Sequence, residues 1–223
     1  LLKEMLKLTN IDARLTWIGT NSLMHDFPLP ALCVNNHMIC AVKLNDKYIF
    51  LDGTEKKCAL NEYAERIQGR QAMIENNDSY IIEKIPVTEF QQDLVEKVMT
   101  MKIDGEKIIG SGTNSYKGES KRDFFYKFFY SESDKIDAIV KEYAGENSNF
   151  KILNVRYDEL KRTNDVKLNY EFSFQNAMST FNNETYVSLD YNKPFTNLKV
   201  AKDRLNDLYF AKKINEIYKI EFN

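Results

Sequence analysis

His37-Met38-Ile39-Cys40-Ala41-Val42-Lys43-Leu44-Asn45-Asp46-Lys47-Tyr48-Ile49-Phe50-Leu51-Asp52 decides how the first part of this chain folds. Two runs rich in β-branched and aromatic residues flank Asn45-Asp46, residue types that tolerate the positive φ of a two-residue hairpin turn. With that pair as the turn, Leu44 faces Lys47, and counting outward sets Ile39 opposite Asp52. Side chains two apart share a face of a strand, so His37 falls on the face of Asp52, one diagonal step away. A carboxylate there bonds one ring nitrogen, fixes the tautomer and stabilises the imidazolium formed when the ring takes a proton. A three-residue loop would shift the register by one and part the two side chains onto opposite faces. The same spacing also fits a solvated pair or a purely structural hydrogen bond.

Around this hairpin, composition narrows the classes. The 223 residues, 43% hydrophobic and 29% charged, suffice for one large or two small domains with a sizeable core. The net charge is −2, and acidic residues interrupt the basic ones between Lys117 and Lys127, so no basic footprint for nucleic acid is present. No apolar run reaches the length that spans a bilayer. Leu1, Leu2, Met5, Leu6 and Leu8 predict an amphipathic helix already under way at the first residue. The expectation is therefore a fragment, with its upstream part and any targeting signal outside these residues.

The three cysteines lack the spacing of a zinc or redox motif. Cys40 alternates out of phase with His37 and reads as core. Cys33 sits in a stretch that reads as extended and faces away, and Cys58 follows Lys56-Lys57 towards the surface. None stands where a nucleophile for His37 is needed. His25, beside Asp26 in a Pro-rich loop, reads as a surface residue.

Further along, 60–68 reads as a helix that Asn61 caps, Glu62 and Glu65 favour in its first turns, and Gly69 stops. Residues 71–75 and 79–85 read as strands around Asn76-Asn77-Asp78, and Pro86 marks a boundary. Beyond it Val95, Lys97, Met99, Met101 and Ile103 alternate at period two, and Asp104-Gly105 turns the chain back through 107–109 into a Gly/Ser stretch at 110–114. Residues 120–131 and 134–143 read as helices, with Phe124, Phe125, Phe128 and Phe129 as a core stripe. Strands are expected at 150–157, 166–174, 185–189 and 216–222. This second region is α+β, mostly antiparallel, and its sequence carries no metal cluster, phosphate loop or catalytic dyad.

Asn36-His37-Met38-Ile39, the hairpin to Leu51-Asp52-Gly53-Thr54-Glu55-Lys56, and Glu62-Tyr63-Ala64-Glu65-Arg66-Ile67-Gln68-Gly69-Arg70 resemble bacterial transglutaminase-like proteins of the papain-like cysteine protease superfamily. The resemblance implies an α+β fold, with the back half of the core over 1–86 and a β-rich accessory domain over 87–223. It implies His37 as general base and Asp52 as the acid that orients it. Leu1 to Leu8 then resembles the rest of a helix whose N-terminus bears the nucleophilic cysteine, about two turns upstream of Leu1. Trp17, on a strand expected from Arg14 to Ile18, either packs beside this site or belongs to the core. Gln68-Gly69-Arg70 reads as a helix stop with structural polar contacts.

The activity so implied is thiolate attack on an amide carbonyl, followed by hydrolysis or transamidation of the thioester. The substrate would be a protein or peptide and the location periplasmic or cell-envelope. No cofactor and no metal is required, and the chain has no EF-hand-like run for calcium. The missing N-terminal part of the same polypeptide would complete the core, and residues 1–223 alone are expected to be inactive. A non-catalytic binding or scaffolding module of the cell envelope is the alternative. A plain β-rich interaction domain requires that His37 and Asp52 not meet.

Overall fold

Alternating apolar and polar residues build the first strands: β1 (Ala13–Ile18), β2 (His37–Leu44), β3 (Lys47–Leu51), β4 (Gln71–Asn76) and β5 (Ser79–Lys84), preceded by helix α1 (Leu2–Lys7). The computed structural model describes residues 1–23, 31–189, 191, 195, 198–205, 210 and 213–223, so His25 lies outside the described residues. The chain divides into two compact units, Leu1–Gln92 with Ala211–Lys213, and Asp93–Phe210 with Ile214–Asn223. Residues 87–92 stay with the first unit because Thr88 N–H donates to Gln68 Oε1 at 2.9 Å, placing the division beyond Pro86. The fold is α+β, and its sheets are mostly antiparallel.

Asn45 and Asp46 both take left-handed backbone conformations, φ 48° and 62°, and close the β2–β3 hairpin with Leu44 opposite Lys47 and Cys40 opposite Leu51. Asn77, at φ 53°, helps turn β4 into β5 in the same way. The five strands order as β3-β2-β1-β4-β5. One face buries Ile18, Ile39, Ala41, Phe50, Ala72 and Ile74 under Tyr63, Ala64 and Ile67. The other buries Ala13, Cys40 and Val42, against which α1 lays Leu2 and Leu6.

Three expectations change here. Residues 60–68 form successive tight turns and no helix, because Asn61 takes φ 67° where a helix needs φ near −60°. The backbone bonds in this stretch reach back three residues, as from Ile67 N–H to Ala64 O and from Gln68 N–H to Glu65 O. Cys33 lies in a single 3-10 turn, Leu32–Val34, and is exposed. Trp17 pairs with Met38 while its neighbour Ile18 pairs with His37, so the indole stands on the face opposite His37.

In the second unit β6 (Val95–Asp104) and β7 (Lys107–Tyr116) form a long hairpin, α2 (Gly118–Tyr130) and α3 (Ile136–Ala144) follow, then β8 (Phe150–Tyr157), β9 (Val166–Phe174), β10 (Met178–Phe181), β11 (Glu184–Val187) and β12 (Glu216–Phe222). The sheet order is β12-β6-β7-β9-β8, with β12 parallel to β6, while β10 and β11 pair by themselves. The Gly/Ser stretch at 110–114 is strand. A Cβ on Gly110 would stand 2.0 Å from Thr100 O, and one on Gly112 would stand 2.5 Å from the Tyr170 ring, so small residues let aromatic neighbours close over the ladder. Phe124 and Phe125 are buried against Val95, Tyr116 and Leu168, whereas Phe129 at the end of the stripe is 47% exposed. α3 ends where Gly145, at φ 108°, lets its N–H and that of Glu146 turn back to Lys141 O. No helix among the described residues is long and apolar enough to cross a membrane.

Candidate active site

The register that closes the β2–β3 hairpin brings His37 and Asp52 together. His37 opens β2, where Asn36 fixes the entry by accepting Thr20 N–H at 2.9 Å and donating to Thr20 Oγ1 at 2.9 Å. Asp52 follows the last residue of β3 and begins a turn in which Thr54 N–H and Thr54 Oγ1 both donate to its Oδ1, at 3.0 and 2.7 Å. His37 Nε2 lies 2.7 Å from Asp52 Oδ2, and the two side chains are 14% and 6% exposed.

Arg66 completes the cluster from the turns at 63–69. Its Nη2 donates to the same Asp52 Oδ2 at 2.9 Å and to Thr54 Oγ1 at 3.0 Å, and its Nε donates to Glu55 Oε1 at 2.9 Å. Burial pushes the Asp52 carboxyl up, but hydrogen bonds from Thr54 and His37 outweigh it and hold the group below the ordinary aspartate value. An ionised carboxylate 2.7 Å from a ring nitrogen needs a proton between them, which assigns Nε2–H to His37. Arg66 Nη2, 3.3 Å from Nε2, is also a donor, so that approach is a contact and not a hydrogen bond. In the neutral ring Nδ1 then carries the lone pair, and it has no hydrogen-bond partner among the described residues.

Cys40 stands apart from this chemistry. Cys40 is buried in the opposite face of the sheet, and burial pushes its thiol up, away from the thiolate a nucleophile requires. Gln68 and Arg70 make structural contacts, Gln68 Nε2 to Tyr63 O at 2.8 Å and Arg70 Nε to Gly19 O at 2.7 Å. Among the described residues no group of three His, Cys, Asp or Glu side chains gathers as a metal site.

No family model matches the chain, and no curated protein does. A solved structure named "putative protease" from Parabacteroides distasonis aligns with 85% of the chain at 10% identity and a TM-score of 0.30. The chain spans 38% of the length of that protein.

A groove of about 380 Å³ lies elsewhere, on the exposed face of the second sheet, between Thr100, Ser111, Thr113, Arg156, Asn169 and Glu171. Its lining holds no histidine, cysteine or aspartate, so the concavity and the titratable cluster belong to different units. Arg66, Glu55 and Thr54 were not legible as site residues. The Asp52-Gly53-Thr54 spacing is the one local signal, since an aspartate readily bonds the backbone two residues on.

Proposed function

We propose that the first unit carries the general base and its orienting acid of a transglutaminase-like cysteine peptidase or acyl transferase acting on amide bonds. The observation that carries this reading is the ring of His37, tied through Nε2 to Asp52 with no partner for Nδ1 among the described residues. In the proposed cycle a cysteine thiolate adds to the carbonyl carbon of a peptide or glutamine-type amide. The C–N bond then breaks, protonated His37 gives its Nδ1 proton to the departing amine, and a thioester remains. Water or an acceptor amine next attacks the thioester, Nδ1 takes its proton, and the thiolate leaves with an acid or a new amide as product. Asp52 stays ionised throughout and stabilises the imidazolium of each half-reaction.

In this reading the cysteine comes from a segment preceding Leu1. α1 packs on the face opposite His37, but its first turn reaches the end of the sheet where Asp52 stands. A Cβ on Gly53 would lie 4.0 Å from Leu2 Cδ2. A nucleophile entering from upstream would therefore round that end of the sheet.

The test uses the polypeptide extended upstream of Leu1, assayed for ammonia or amine release from peptides and for amine incorporation into a protein acceptor. Iodoacetamide-sensitive turnover is expected, abolished by His37→Ala. Serine or alanine throughout the preceding helix, or turnover indifferent to His37→Ala, would instead leave a non-catalytic binding module. Residues 1–223 by themselves are expected to show no thiol-dependent turnover. Sustained, iodoacetamide-sensitive turnover from them would move the nucleophile to Cys33 or Cys58.

A further inference from the structure

We infer that Arg66 is the positioning residue of this dyad, fixing through Asp52 which nitrogen of His37 faces the substrate; the inference rests on the general-base reading of His37. A carboxylate offers four acceptor positions, two on each oxygen. On Asp52 all four are taken. Thr54 N–H and Oγ1 fill Oδ1, while His37 Nε2–H and Arg66 Nη2–H fill Oδ2. The carboxylate can neither rotate nor slide without losing a charge-assisted bond. Its plane, and with it the ring of His37, is set from outside the hairpin.

Arg66 is itself tied at several points. Glu55 Oε1 holds its Nε, Thr54 Oγ1 and Asp52 Oδ2 hold its Nη2, and its carbonyl accepts Asn21 N–H at 2.7 Å. The planar guanidinium thus ties the turn after β3 to the turns that cover the sheet, while the backbone of Arg66 ties in the segment after β1. Lysine lacks the fork that spans Asp52 and Glu55 together, so the two cations are not interchangeable here.

The donor–donor approach of Nη2 to Nε2 at 3.3 Å adds a second consequence. A ring turned so that an unprotonated nitrogen met Asp52 would give up its bond to the carboxylate. The Nε2 side also presents a fixed cation to anything approaching from that direction. Proton traffic is left to Nδ1.

The experiment is nitrogen-15 and proton NMR of residues 1–223 with labelled histidine, paired with steady-state kinetics on the upstream-extended polypeptide. The parent should show a downfield His37 ring proton, slow to exchange, with the nitrogen pattern of the Nε2–H tautomer. Arg66→Met should lose that resonance and average the two nitrogens, while Arg66→Lys should restore part of it. In the extended polypeptide Arg66→Met should lower kcat about 10-fold to 100-fold with KM within about twofold. Should Arg66→Met fail to fold, Glu55→Gln, which loosens the guanidinium without removing it, carries the same readout. A ring resonance unchanged in both variants overturns the inference, as does an unchanged kcat. A resonance that responds, in a polypeptide without thiol-dependent turnover, supports Arg66 as the positioning group and overturns the general-base reading instead.

Discussion

In the second unit Lys97 lies on the core face of β6 with its side chain 6% exposed, and its Nζ donates to Tyr218 Oη at 3.0 Å and to Glu216 Oε2 at 3.3 Å. Nearby Asn114 gives its Nδ2 hydrogens to Tyr116 Oη and to the carbonyls of Tyr143 and Ala144, and its Oδ1 accepts from Tyr170 Oη at 2.9 Å. In the first unit His37 and Asp52 are buried to a similar degree, yet one ring nitrogen has no partner among the described residues. Both clusters put polar groups in low dielectric, where an unmet bond is costly. The second engages each of its polar side chains with a partner and serves cohesion. The first leaves one nitrogen of the His37 ring to the substrate side.

The largest expected effect tests that contrast directly. In the upstream-extended polypeptide His37→Ala should cut amide turnover by about 10²-fold to 10⁴-fold, the range of a lost general base. Urea unfolding of the first unit should move by only about 1–3 kcal/mol, from the lost bond to Asp52. A large loss of stability with turnover retained would make His37 a structural residue like those of the second unit. The opposite substitution is Phe172→Ala. Phe172 is fully buried and stacks on Phe150 with ring centroids 4.5 Å apart. Its truncation should destabilise the second unit by about 3–5 kcal/mol, read by hydrogen exchange in β7 and β9. A loss below about 1 kcal/mol would mean that the aromatic core is not what holds this unit.

The same contrast explains what the amino-acid sequence disclosed. His37 and Asp52 were legible because a two-residue turn fixes parity, and parity puts residues on faces without any tertiary information. Arg66 was not, because its placement depends on the backbone at 60–68. There Asn61 breaks a pattern of acidic and apolar residues that otherwise reads as helix. The strand at 110–114 was hidden for a related reason. Its glycines look like a loop until Phe172 and Tyr170 are seen to need their space. Pairing of β12 beside β6 is a contact between distant segments, which no local pattern encodes.

Lys97 provides a smaller effect with a definite sign. Burial pushes its ammonium below the ordinary lysine value, and Glu216 pulls it back only in part. A cation that the folded state holds less tightly than the unfolded one detracts from stability while both are protonated. That penalty is relieved as pH rises from the lowered value towards 10.5. Tyr116, Tyr170 and Tyr191 act the other way, because burial raises their hydroxyls and their contribution fades once pH passes 10.0. The second unit should therefore gain stability with pH in the alkaline range only up to about pH 10. Lys97→Met should abolish the gain, and the partners it leaves behind, Tyr218 Oη and Glu216 Oε2, still bond each other. A gain that persists in Lys97→Met would assign it to another group.

Asp52→Asn is expected to have the smallest effect on stability and to be the most discriminating about the site. The amide offers one acceptor where the carboxylate offered two, and donors surround it on both sides. Its oxygen should face His37 and Arg66, because Thr54 Oγ1 can turn to accept from the amide nitrogen whereas the guanidinium cannot. The price is the Thr54 N–H bond, about 1 kcal/mol. In the parent, the Asp52 contribution is fully present above its ordinary value of 3.8 and is lost as pH falls through the lowered folded value. Acid unfolding of the first unit should accordingly be less steep in Asp52→Asn than in the parent. If the two acid profiles coincide, the carboxylate is not held ionised by the folded state, and the Nε2–H assignment on which Nδ1 chemistry depends goes with it.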